Sequence, residues 1–182
     1  AITGVVKLEG RTAFVLDMEK IVGDMDESLS ISFAKAHKLE SDRVYRVLHA
    51  DDSQSVRGLV KHLLEDSGAF QVIQATNGSE AWDYLQNLKK KCESEGQPVS
   101  AYIDGIISDI EMPSIDGLTL CRRIKEDPVL KILPVALFSS LITESLQHKG
   151  ESVGADAQFS KPELSQLSEK MVELIKESQE NQ

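Results

Sequence analysis

The chain has 182 residues, 41% of them apolar, and 20 Lys and Arg against 30 Asp and Glu set a formal net charge of −10. The apolar fraction supports a packed core and excludes a wholly disordered chain, and the length suits one full domain plus a smaller piece. The acidic balance argues against nucleic acid, whose phosphates call for a positive field.

No apolar run is long enough to span a bilayer, and no signal peptide opens the chain, so direct membrane insertion is not expected. Cys92 and Cys121 lack CxxC spacing and neighbouring His ligands, so they read as free thiols in a reducing compartment. The expected location is cytoplasmic.

The chain opens abruptly on a strand-like run at 2–8, a Glu-Gly-Arg turn at 9–11 and a second strand at 12–16. Residues 17–22 read as a short amphipathic helical turn. A lone hairpin is only marginally stable in water, so residues 1–27 read as the end of a larger β domain whose front is absent. Residues 28–43 read as a helical or mixed linker.

From residue 44 to 182, short apolar runs alternate with helical periods. The strands are expected at 44–48, 70–73, 103–107, 133–138 and 157–159, and the helices at 53–66, 78–92, 116–126, 142–150 and 163–177. The polar stretch 89–98 (KKKCESEGQP) is expected to be a mobile loop. Five strand–helix units predict an α/β domain with a parallel sheet covered by helices on both faces.

Ligands in such sheets sit at the carboxyl ends of the strands. The first strand ends in Asp51-Asp52, the third in Asp109, the fourth in Ser139-Ser140 and the fifth in Lys161-Pro162. Clustered carboxylates repel one another and call for a cation. Mg²⁺ suits them, since it takes one or two carboxylates, keeps waters and binds phosphate oxygens. A carboxylate such as Asp109 can attack phosphorus and form an aspartyl phosphate. Lys161 would share the charge of the transferring group, and Ser139 would hydrogen-bond one of its oxygens.

The segments VLHADDS (47–53), IISDIEMPSIDG (106–117), ALFSS (136–140) and FSKP (159–162) resemble the response-regulator receiver family over roughly 45–178. Ser139 follows Asp109 by thirty positions, and Lys161 follows Ser139 by twenty-two, as in that family. The resemblance implies a flavodoxin-like sheet in the order 2-1-3-4-5. It implies Asp109 as phosphoacceptor, with Ser139 and Lys161 assisting. It also implies a Mg²⁺ site of Asp51, Asp52, Asp109 and the Glu111 backbone carbonyl. Two departures stand out: His49 and Ala50 replace the usual apolar pair before the acids, and Gln158 stands where many receivers carry a switch aromatic.

The stretch ITGVVKLEGRTAFVLDMEKI resembles the end of a CheW-like coupling domain. A coupling domain joined to a receiver is the arrangement of CheV-type chemotaxis proteins. That resemblance implies partnership with chemoreceptors and with a chemotaxis-type histidine kinase, and self-association through residues 1–27. Such a protein is a signalling component, not a dedicated enzyme.

Taken singly, the signals have plainer readings. Asp51-Asp52 could be a helix N-terminal charge pair, Asp109 ordinary loop chemistry, and Lys161-Pro162 a helix start. Their joint spacing is what favours the phosphorylation site. His37, His49, His62 and His148 show no metal spacing and read as solvated or structural, and Trp82 and the terminal helix read as packing. A Mg²⁺-dependent phosphohydrolase with an aspartyl-phosphate intermediate is the rival enzyme reading. It is weakened because Asp109-Ile110-Glu111 is not the Asp-x-Asp that one such class uses. A transcriptional regulator is disfavoured by the charge and by the lack of an effector domain after 182.

Overall fold

A computed structural model describes residues 2–8, 11–16, 38–39, 41–139, 143–160 and 166–180. The chain divides into two compact units, 1–35 and 36–182. In the first, β1 (Ile2–Leu8) pairs antiparallel with β2 (Arg11–Leu16), with Leu8 opposite Arg11 and a register shift between Ile2 and Gly4. The hairpin expected there is present. The helical turn expected at 17–22 and most of the linker lie outside the described residues.

The second unit alternates strand and helix throughout. It runs β3 (Tyr45–Ala50), α1 (Gln54–Asp66), β4 (Phe70–Ala75), α2 (Gly78–Glu95), β5 (Gly105–Asp109), α3 (Gly117–Glu126), β6 (Val135–Ser139), α4 (Glu144–Ser152), β7 (Ala157–Ser160) and α5 (Leu167–Glu180). All pairings are parallel, in the order β4-β3-β5-β6-β7. Counted within this unit, that is the 2-1-3-4-5 order expected above.

Four of the connections from strand to helix end on a capping side chain. Ser53 accepts from the Val56 N–H, Asn77 from Glu80, Asp116 from Thr119 and Thr143 from Leu146. Each satisfies one of the orphan N–H groups at a helix start.

One sheet face buries Leu48, Ala50, Ile106, Val135 and Leu137 against Leu85 of α2 and against Leu120 and Ile124 of α3. On alternate positions Val47, Ile107 and Phe138 take the other face. There α1 buries Val60, Leu63 and Leu64, and α5 buries Leu167, Met171 and Ile175. Each of these large side chains contributes roughly 1.5–3 kcal/mol by leaving water.

The expected loop at 89–98 is corrected: α2 continues through Lys89–Glu95 and stops at Gly96, whose φ of +64° is left-handed. Ala81, Leu85, Leu88 and Cys92 form one buried stripe at helical spacing. The polar residues between them mask that stripe in the sequence, and a turn of 3₁₀ helix at Val99–Ala101 follows. The third strand is also displaced, to Gly105–Asp109 instead of 103–107.

Candidate functional site

Parallel register sets the strand ends side by side. Ala50 lies opposite Ala75 on one side and Ser108 on the other, so Asp51 and Asp109 each follow directly from paired residues of adjacent strands. Asp109 is in turn opposite Phe138, and Ser139 is opposite Ser160. The result is one acidic edge. A carboxylate oxygen from each of Asp51, Asp52 and Asp109 lies within 4.8 Å of the others. Asp51 and Asp109 are 0% and 3% exposed, Ser139 is 4% exposed, and Asp52 faces solvent.

Two buried carboxylates this close repel by roughly 3 kcal/mol at an effective dielectric of about 20. All the donors of the set are hard oxygens, the ligand type that suits a hard divalent cation.

The local backbone holds each acid. Asp51 Oδ1 accepts from the Ser53 N–H at 2.8 Å, the Asp51 N–H donates to the Ala75 carbonyl at 3.2 Å, and the Asp51 carbonyl accepts from Arg57 Nη1 at 2.7 Å. The Asp109 carbonyl accepts from Ser108 Oγ at 3.0 Å. Beyond it, the Ile110 N–H donates to the Phe138 carbonyl, and the Gly117 N–H closes back onto the Ile110 carbonyl, both at 3.0 Å.

That closure brings Gly117 so near that a Cβ on it would lie 2.1 Å from the Asp109 carbonyl oxygen. A Cβ on Gly78, at the start of α2, would lie equally close to the Ile115 carbonyl oxygen. The turn after Asp109 is thus clamped between two helix starts. Asp116 anchors it, accepting from both the N–H and the hydroxyl of Thr119 at 2.8 Å. Burial works against its ionisation, but the Thr119 bonds outweigh this and hold its carboxyl below the usual range.

The structure gathers Asp51, Asp52 and Asp109 at one point and sets Ser139 at the end of the adjacent strand. Glu111 lies exposed in the turn, two residues beyond Asp109. Ser140, Lys161 and Pro162 lie outside the described residues, as does His37. His49 is wholly buried on β3, whereas His62 and His148 are exposed beside Asp66 and Glu151 at 3.2 and 3.5 Å. Trp82 packs on the core, with the Arg123 guanidinium 5.7 Å above its ring. Sequence reasoning gave no role to Arg57, Gly78 or Gly117. The Asn-Gly and Asp-Gly dipeptides at 77–78 and 116–117 were the available signal for the two glycines.

A parallel sheet in this order with three acids at its carboxyl edge defines a receiver-type signalling domain. The family model for the response regulator receiver domain matches residues 47–173, and the chain belongs to that family.

Chemotaxis protein CheV3 of Helicobacter pylori is 29% identical over 96% of this chain and 55% of its own length. Response regulator Rre1 of Synechocystis is 36% identical over 64% of this chain and 45% of its own length. The chain thus spans about half the length of these curated relatives. Among solved structures, chemotaxis protein CheY4 of Vibrio cholerae superposes with a TM-score of 0.58 at 28% identity, covering 72% of this chain and 98% of its own. Receiver domains are signalling modules, not dedicated enzymes. Among the described residues, no helix is long and apolar enough to cross a membrane.

Proposed function

We propose that Asp109 is the phosphoacceptor of this domain and takes its phosphoryl group from the phosphohistidine of a chemotaxis-type histidine kinase. The observation that carries this is the meeting of Asp51, Asp52 and Asp109 within 4.8 Å at the carboxyl edge of the sheet. An Asp109 carboxylate oxygen forms the new P–O bond as the donor's P–N bond breaks and the imidazole leaves. The acidic set fits Mg²⁺, which Asp51, Asp52, Asp109 and the Glu111 carbonyl would hold. When bound, the ion neutralises charge on the transferring group. Ser139, at the end of β6, donates its hydroxyl to a phosphoryl oxygen, and Lys161 supplies a second positive charge.

The wider reading is a cytoplasmic chemotaxis protein that adjusts coupling between chemoreceptors and kinase. It treats residues 1–27 as the end of a CheW-like domain, 28–43 as a linker and 44–182 as the receiver. The likeness to CheV3 along nearly the whole chain supports it. The hairpin β1–β2 presents strand edges through which two copies can associate.

The test is incubation with Mg²⁺ and a small acyl phosphate, followed by intact mass. One added phosphoryl group is expected, and Asp109→Asn is expected to take none while remaining folded, because an amide is a very poor nucleophile. Continuous hydrolysis without an adduct would favour the phosphohydrolase. Full labelling of Asp109→Asn would move the site elsewhere.

A further inference from the structure

Arg57 sits in the first turn of α1, where its own N–H donates to the Ser53 carbonyl at 2.9 Å. A cation in that position opposes the helix dipole, whose positive end is there. Its half-buried side chain nevertheless turns back over the connection, and Nη1 donates to the main-chain carbonyl of Asp51 at 2.7 Å. The Arg57 carbonyl is gripped in turn by Gln74 Nε2 at 2.9 Å, from the neighbouring strand β4.

The same guanidinium acts on Glu80, at the start of α2. That carboxyl is held below the usual range first by the Thr76 hydroxyl, then by the Thr76 N–H, with the Arg57 charge adding to them. Arg57 therefore ties the end of β3 to the start of α1, with its field reaching the connection between β4 and α2. The Asp51 carboxylate is fixed from the other side by the Ser53 N–H at 2.8 Å. The Asp51 carbonyl thus takes a charged bond from Arg57, and its carboxylate takes a neutral one from the Ser53 N–H.

We infer that Arg57 is a positioning residue for the acidic site, acting through the Asp51 carbonyl to hold the carboxylate pair in its cation-binding arrangement. This rests on the phosphoacceptor reading above. The sign of the effect separates positioning from simple electrostatics. Removing a nearby positive charge, by itself, would tighten binding of a divalent cation. Releasing the Asp51 backbone loosens it.

The experiment titrates Mg²⁺ into the whole chain as wild type, Arg57→Ala and Arg57→Lys at fixed ionic strength, following the backbone amide resonances of Asp52 and Ser53. Arg57→Ala is expected to weaken binding about tenfold, as loss of an outer partner of metal ligands does. Arg57→Lys, which keeps the charge and N–H donors but not the planar fork, should fall between Arg57→Ala and wild type. Acyl-phosphate labelling of Arg57→Ala should be slow at limiting Mg²⁺ and return to the wild-type rate at saturation, which a general folding defect would not do.

Equal or tighter Mg²⁺ binding by Arg57→Ala overturns the inference. Should Arg57→Ala not fold, wild-type affinity in Arg57→Lys overturns it instead. Absence of Mg²⁺ binding by the wild type defeats the underlying reading. In that event the inference, which concerns a cation-binding arrangement, falls with it.

Discussion

Adding one methyl group at either of two helical glycines should give opposite outcomes. At Gly117 the new Cβ would stand 2.1 Å from the Asp109 carbonyl oxygen and 2.9 Å from both the Asp109 carbonyl carbon and Ile110 Cα. These are backbone atoms and cannot rotate aside, so the turn must open by roughly 1 Å to reach ordinary contact. Overpacking of this kind costs about 1–3 kcal/mol, and the rigid neighbours place Gly117→Ala toward the upper end. The better helix propensity of alanine recovers about 1 kcal/mol at most. The expected net is about 2 kcal/mol of destabilisation.

Gly58 lies in α1 with nothing within 4 Å of its would-be Cβ. Gly58→Ala should therefore stabilise by about 0.5–1 kcal/mol. Urea unfolding followed by the fluorescence of Trp82, the only tryptophan in the sequence, reads both variants. The melting temperature should fall by roughly 6 °C in Gly117→Ala and rise by about 2 °C in Gly58→Ala. Because the displaced atoms belong to Asp109, Gly117→Ala should also label more slowly with an acyl phosphate. Shifts of the same sign in both variants, or a Gly117→Ala within about 0.5 kcal/mol of wild type, would refute the close-approach argument.

Asp52→Ala should lose Mg²⁺ binding by titration while staying folded, since Asp52 is the exposed member of the acidic set. Lys89 Nζ bonds Asp127 Oδ2 at 2.5 Å, and Asp127 Oδ1 accepts from the Val129 and Leu130 N–H groups at 2.9 and 3.1 Å. Burial opposes ionisation of Asp127, but these bonds outweigh it and lower its pKa, the Lys89 bond most strongly. A depressed carboxylate pKa means stability that is present above the unfolded-state value and lost as pH falls through the folded one. Lys89→Met should therefore cost about 1–2 kcal/mol near neutral pH, and the deficit should shrink in acid as Asp127 protonates; an equal deficit at both pH values would refute the pairing. Burial pushes the Cys121 thiol up to about 11 and raises Cys92 as well. Neither should react with a thiol reagent at pH 8 until the domain unfolds, and rapid labelling of the native protein would contradict their burial.

The strand–helix alternation and the acids at the strand ends were legible in the sequence. Periodicity separates the apolar runs, and a parallel sheet sends every carboxyl end to the same edge. Asp51, Asp52, Asp109 and Ser139 could be picked out because topology alone brings strand ends together.

The end of α2 was not legible. The buried stripe through Leu88 and Cys92 is diluted by lysines and glutamates whose exposure is known only once the helix has something to pack against. Asp104 went unread for a similar reason. It is nearly buried, accepts the Arg46 N–H at 2.7 Å and pairs with Arg43, partners some sixty residues away. Gly117 and Gly78 look in the sequence like ordinary turn glycines, and only the folded turn shows that a methyl there would collide with a carbonyl. Arg57 reads as one more helix cation until its guanidinium is seen on the Asp51 carbonyl. Sequence determines which residues lie at the ends of elements, because that follows from local period and capping. Tertiary structure decides which of them touch, because contact depends on register, twist and burial set by residues far away in the chain.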